Sequence, residues 1–220
     1  MAFLPWHQSQ WTRLTGYVDK GRLAHAMLLT GPSATGKLTF ARHFASFLLC
    51  EHPANQQLCG ECHGCKLYQA GNHPDLVLLT PEDGSKAIKV DEIRAFVADS
   101  SLTPQIASRR VTLIYPAEAM NASAANSLLK TLEEPNPENH ILLISHAAWE
   151  LPATIRSRCQ EIVFPLPAPA MSIEWLGTQQ PRDDWEQLLD CVQGAPLRAL
   201  AFAEQQGAEV YRAQKQRFAA

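Results

Sequence analysis

The chain has 220 residues, of which 46% are hydrophobic and 19% charged, with a net charge of −3. That length suits one large domain and a smaller one at roughly 150 residues per domain, and the composition excludes disordered, collagen-like and coiled-coil chains. The acidic balance argues against a stand-alone nucleic-acid binder, and no run approaches the roughly 18 apolar residues of a membrane span.

Met1–His7 has no charged stretch ahead of an apolar one, which points to a cytoplasmic rather than a secreted chain. Ala26–Thr30 (AMLLT) reads as a buried strand. From Leu38 to Cys50, Phe40, Phe44 and Leu48 recur every four positions, the spacing of a helix with one buried face. A cysteine-rich segment follows, then a strand over Leu76–Leu79. Asp91 can cap a helix that buries Ile93, Phe96 and Val97. Val111–Tyr115 is the third strand, and a helix from about Ala122 to Glu134 is stopped by Pro135.

Ile141–Ile144 and Ile162–Phe164 are the fourth and fifth strands, with a short helix near residues 152–157 between them. Strands alternating with helices predict an α/β fold, a parallel sheet covered on both faces. The stretch 165–169 (PLPAP) reads as a stiff linker, and residues 170–220 carry helical spacing without a convincing strand.

Gly31-Pro32-Ser33-Ala34-Thr35-Gly36-Lys37 fits the phosphate-loop pattern G-x-x-x-x-G-K between a strand and a helix. Glycines there let backbone N–H groups surround phosphate oxygens, and the lysine meets the β- and γ-phosphates. The hydroxyl that should follow for Mg²⁺ is replaced by Leu38. Thr39 comes one residue late, rotated by about 100° on a helix. None of the strands at 76–79, 111–114 and 141–144 delivers a carboxylate at its C-terminal tip. Glu118 or Glu82 could serve only if their loops fold back. Hydrolysis by this chain alone is therefore not expected, and ATP/Mg²⁺ binding stays doubtful.

Cys50, Cys59, Cys62 and Cys65 supply four thiolates with the spacing of a tetrahedral zinc site, with Gly60 and Gly64 providing turns. Four protein ligands leave no position open, so structural Zn²⁺ is the expectation; an Fe–S cluster and reduced thiols are the alternatives. His52 and His63 read as bystanders. Cys159 and Cys191 read as small buried apolar residues.

Asn126–Pro135 (NSLLKTLEEP) resembles the N-x-LLK-x-LEEP helix of clamp-loader ATPase subunits, and Ser157-Arg158-Cys159 resembles their SRC motif. With the phosphate loop, the cysteine quartet and Ile88–Arg94 (IKVDEIR), the chain resembles the AAA+ clamp-loader family of bacterial DNA polymerase III over about residues 20–165. Gamma/tau members keep the hydroxyl after the lysine and an acidic pair. Their absence here favours the delta-prime branch.

The resemblance implies an AAA+-type five-stranded parallel sheet over residues 1–166 with a four-cysteine zinc insertion at about 50–65, and a helical lid over 167–220. It implies a non-catalytic subunit supporting ATP-dependent loading of the sliding clamp onto primed DNA. Arg158 would be an arginine finger given in trans to a neighbouring ATPase subunit, with Arg156 its competitor. Gly31, Gly36, Lys37, Thr39 and Ser145 would form a degenerate nucleotide site, Ser145 in the family's sensing position.

The segment Gly194–Arg198 resembles one that carries a second sensing arginine. The register puts Leu197 there, and Pro196 disturbs the helix start, so Arg198 is given no role. In the LEEP helix Lys130 and Glu134 can pair across one turn while the leucines face the core. The implied partners are gamma/tau ATPase subunits, the delta subunit and, through the complex, the sliding clamp and primer–template DNA. Lys86, Lys89, Arg94, Arg109 and Arg110 are either contacts to that DNA or solvated charges. Family members continue into a helical collar domain that this sequence lacks, so a truncated, monomeric form is expected. Two rival readings are a self-sufficient gamma-like ATPase and a zinc-dependent nucleic-acid-binding module.

Overall fold

The computed structural model describes residues 4–82, 84–99 and 103–205. A short 3-10 turn (Pro5–His7) leads into α1 (Gln8–Asp19), then β1 (Ala26–Thr30), α2 (Lys37–Leu48) and α3 (His63–Gln69). β2 (Leu76–Leu79), α4 (Val90–Asp99), β3 (Arg110–Ile114), α5 (Ala122–Glu133) and β4 (Asn139–Ile144) follow. The chain continues through α6 (Ala153–Arg156), β5 (Gln160–Val163), α7 (Pro169–Gln179), α8 (Trp185–Cys191) and α9 (Pro196–Glu204).

All five strands run parallel in the order β2-β3-β4-β1-β5, as the strand–helix alternation requires. Side chains alternate across the pleat and build two cores. Met27 and Leu29 of β1 face α1 and α2, joined by Phe40, Phe44, Leu142 and Ile144. Ala26 and Leu28 face the other way, toward α4, α5 and α6, with Ile93, Leu128, Ile141 and Leu143. Each fully buried leucine or phenylalanine in these layers contributes roughly 1.5–3 kcal/mol by leaving water.

Four expectations need correction. Asp91 sits in the first turn of α4 rather than at its cap. Pro169 and Pro196 do not interrupt helices but occupy first positions of α7 and α9, where a missing N–H costs nothing. The linker shrinks accordingly to residues 165–168. Lys130 and Glu134 do not pair: Glu134 leaves the helix with φ −120° and ψ 68°.

The helices α7–α9 close on a core of their own, with Leu176, Trp185, Leu188, Leu189 and Ala199 buried. The expected lid extends to residue 220, and its last part, 206–220, lies outside the described residues. These helices touch the phosphate loop: Leu197 N donates to Ala34 O at 3.2 Å.

Candidate functional site

The phosphate loop leaves β1 at Gly31 and enters α2 at Lys37. Gly31 has φ +142° and Gly36 φ +90°, conformations that only glycine adopts without strain. Lys37 is 2% exposed, and its Nζ donates to the carbonyls of Gly31 and Pro32, each at 2.6 Å. Burial pushes this ammonium down to about 8, with Glu118 opposing the shift. The lysine thus closes the loop on itself.

Trp6 and His7 pack against this loop, a feature without a clear periodic signal in the sequence. Trp6 Nε1 donates to Thr35 O at 2.9 Å and meets the Trp175 ring of α7 edge-on at 5.3 Å. His7 is 1% exposed, lies edge-on to Phe40 and Phe164, and is pushed down to about 4 by burial, so it is neutral at pH 7. Arg198, given no role from sequence, reaches Ser33 Oγ at 2.5 Å from α9.

Thr39 turns away from the loop, whereas Ser145, whose N–H donates to Leu29 O at 2.9 Å, stands beside the end of β1 from which the loop departs. Thr39 is exposed and lines a cleft of about 380 Å³ with Arg42, His43 and Tyr68, on the side of α2 facing the cysteines. Ser145 is fully buried at the end of β4, where its Oγ accepts from Ala147 N at 3.1 Å. Glu118, by contrast, does fold back. Its Oε1 accepts from His146 N at 2.9 Å, while Oε2 is buried without a partner among the described residues. Glu82 turns away to pair with Lys89.

The four cysteines converge at the far end of α2. Their Sγ atoms all lie within 4.8 Å of one another, with Cys50–Cys59 at 3.6 Å and Cys59–Cys65 at 4.0 Å. Zinc–sulfur bonds of about 2.3 Å set tetrahedral thiolates about 3.8 Å apart, so the quartet fits the ion. Backbone N–H groups of Cys59, Cys62 and Cys65 donate to the sulfurs of Cys50, Cys59 and Cys62 at 3.3–3.4 Å, fixing their directions. The N–H groups of Glu61 and Cys62 pull the Cys59 thiol down to about 6. Burial raises Cys65, a cost that a cation offsets by favouring the thiolate. Neither His52 nor His63 joins the cluster. Cys159 and Cys191 are half-buried.

Arg158 lies at the opposite end of the sheet from the phosphate loop. It precedes β5, whose first residue, Gln160, pairs with Met27, whereas Gly31 follows the last residue of β1. Roughly 15–20 Å of strand separates the two, beyond the reach of one side chain. Its Nη2 meets Glu133 Oε1 at 2.5 Å, and Nη1 donates to Thr154 O at 3.0 Å. Arg156, at the end of α6, is exposed.

The five basic residues considered for DNA form no single patch. Arg109 and Arg110 stand at the start of β3, while Lys86, Lys89 and Arg94 lie between the end of β2 and α4. Lys89 is paired with Glu82 and Arg94 with Asp91. No helix among the described residues is long and apolar enough to cross a membrane.

Residues 6–168 match the family model for the DNA polymerase III delta subunit. The subunit delta' of Pseudomonas aeruginosa DNA polymerase III is 46% identical over 198 residues, covering 89% of this chain and 60% of that protein. The Escherichia coli delta' is 32% identical over 91% of this chain and 61% of its own length. The tau/gamma subunit of Haemophilus influenzae is 36% identical over 67% of this chain and 21% of its length. The chain thus spans about 60% of the delta' relatives. Among solved structures, a DNA polymerase III gamma-subunit-related protein of Thermotoga maritima superposes with a TM-score of 0.56 at 23% identity, covering 88% of this chain and 58% of that one. The RuvB Holliday junction branch migration motor of the same organism gives 0.54 at 15% identity, over 90% and 60% of the two chains. Both likenesses concern the fold.

Proposed function

The chain belongs to the DNA polymerase III delta-subunit family, and from that premise we propose that it is a non-catalytic clamp-loader subunit that lends Arg158 to the ATPase site of a neighbour. The observation that carries this reading is the position of Arg158, held at the surface of the sheet end remote from the chain's own phosphate loop. A guanidinium there cannot serve this chain's own phosphate loop, which leaves a neighbour's as the phosphoryl group it would meet. Being planar and permanently charged, it stabilises the negative charge that develops on a transferring phosphoryl group. Fingers supplied in trans are worth about 10³–10⁵ in rate at the site they serve.

The chain's own loop is poorly equipped for the same chemistry. Leu38 stands where a magnesium-holding hydroxyl is needed, and the Lys37 ammonium is taken up by Gly31 and Pro32. Gamma/tau-type ATPase subunits would be the immediate neighbours. The delta subunit, sliding clamp and primer–template DNA would be met through the assembly, where ATP hydrolysis drives clamp loading. Cys50, Cys59, Cys62 and Cys65 would hold a structural Zn²⁺, whose chemistry is to pin α3 and its flanking loops to the end of α2.

One observation favours a second reading, a self-sufficient ATPase. The unpartnered Glu118 oxygen lies on the side of the sheet where Lys37 ends, and the two groups interact electrostatically. Turnover by the isolated subunit separates the readings, since appreciable hydrolysis lost on Lys37→Ala would favour the second. In the reconstituted loader, Arg158→Ala is expected to lower ATP turnover with assembly intact, whereas Arg156→Ala leaves it unchanged. Equal turnover in Arg158→Ala and wild type would refute the finger.

A further inference from the structure

Glu133 belongs to the LEEP string that identifies the family, and the finger reading gives it no task. It is the last residue of α5, where the helix dipole disfavours a carboxylate unless a cation stands by. That cation is Arg158, 25 residues away in sequence and 2.5 Å away in space. Thr154 O at 3.0 Å and Ser157 Oγ at 3.4 Å accept from the other terminal nitrogen. Three of the roughly five N–H donors of a guanidinium are thereby engaged, leaving the Nε–H and one on Nη2. Two such donors suffice for a fork on a phosphoryl group.

We propose that Glu133 is the positioning residue of Arg158: its carboxylate fixes the guanidinium in one orientation while leaving two donors free for the neighbouring subunit's phosphoryl group. The inference rests on the finger reading above. An unrestrained arginine samples many rotamers, and the reaction needs one of them, so a fixed guanidinium removes an entropic cost from the transition state. The side chains of Arg158 and Glu133 are 35% and 49% exposed. Water at that surface screens the carboxylate, so the arginine keeps much of its field. The same exposure makes the pair a minor contributor to folding.

The test uses the full-length subunit reconstituted with its ATPase partners, carrying Glu133→Gln, Arg158→Ala or both. Glu133→Gln is expected to lower kcat about three- to tenfold, the net worth of one ordinary hydrogen bond at a partly exposed site, with KM for ATP unchanged. The double variant should be no slower than Arg158→Ala alone, and the melting temperature of Glu133→Gln should stay within about 2 °C of wild type. If Arg158→Ala is slow while Glu133→Gln turns over as fast as wild type or faster, the positioning role is overturned and the finger stands. Losses that add in the double variant also overturn it. If Arg158→Ala has no effect, the finger falls, and the positioning role with it.

Discussion

Replacing Gly31 by alanine separates what the phosphate loop does for a ligand from what it does for the fold. A Cβ at this position would stand 2.0 Å from Phe164 O and 2.9 Å from its carbonyl carbon, both backbone atoms. Ordinary carbon–oxygen contacts begin near roughly 3.3 Å, so the overlap exceeds ~1 Å. Relief would require the end of β5 to leave β1, breaking the 2.7 Å bond from Phe164 N to Thr30 O and unseating the Phe164 ring from Phe40 and His7. Overpacking of this kind costs about 1–3 kcal/mol, and an alanine at φ +142° adds about 1–3 more. For a chain of this size 1 kcal/mol lowers Tm by about 2–4 °C, so Gly31→Ala should melt at least ~5 °C below wild type without any nucleotide present. Gly16→Ala is the control. Its Cβ would meet nothing within 4 Å, and in the interior of α1 it should raise stability by about 0.5–1 kcal/mol. Thermal unfolding of the three chains decides the matter. A Gly31→Ala chain melting within ~2 °C of wild type would show that this glycine is not held by packing.

Asp75 is 1% exposed and accepts from the backbone N–H groups of Gln105, Ile106 and Ala107 at 2.6–2.9 Å. Burial works to raise its carboxyl, but those donors outweigh it and hold it below the usual aspartate range. Its contribution is therefore complete above the unfolded value of about 4 and lost as pH falls through the lower folded value. Asp75→Asn should cost about 2–4 kcal/mol at pH 7 and flatten the acid limb of stability, read from urea unfolding repeated from neutral to strongly acidic pH. Equal acid slopes in the two chains would contradict this. At the cysteines, protein purified without chelator should carry about one zinc ion per chain. Chelation or Cys59→Ser should open residues 50–71 to proteolysis while the sheet persists. A metal content unaltered by Cys59→Ser would rule out the quartet as ligands.

The strands were the most legible part of the fold. Ala26–Thr30 and Leu76–Leu79 appear with the expected bounds because short apolar runs between polar turns report burial directly. Two helices escaped for different reasons. α1 (QSQWTRLTGYVD) buries Trp11 and Leu14 but also Gln10 and Thr15, so its inward face carries a weak apolar period. α3 spans seven residues, too few for periodicity, and its N-terminal turn is organised by Cys62, whose side chain accepts from Cys65 N. The metal ligands could be read because their geometry is written into one short segment.

The contacts around the candidate site were opaque in proportion to their distance along the chain. An i,i+4 rule selects Lys130 and Glu134, yet the helix ends one residue earlier, and Glu134 turns away from the face that it would share. The adjacent glutamate finds its partner in Arg158 instead, and no local rule could distinguish the two. Arg198 illustrates the same limit. Its register argued against a role, but the packing of α9 brings it to Ser33 across 165 residues. The phosphate loop adds the converse lesson. Gly31 is required by the Phe164 backbone, Gly36 by its φ of +90°, and Lys37 by the carbonyls it ties together. Each signature residue of the motif therefore has a physical reason to be present that does not depend on phosphate. A chain can keep the loop for its architecture alone, and the proposed contribution to phosphoryl transfer stands at the other end of the sheet, on Arg158.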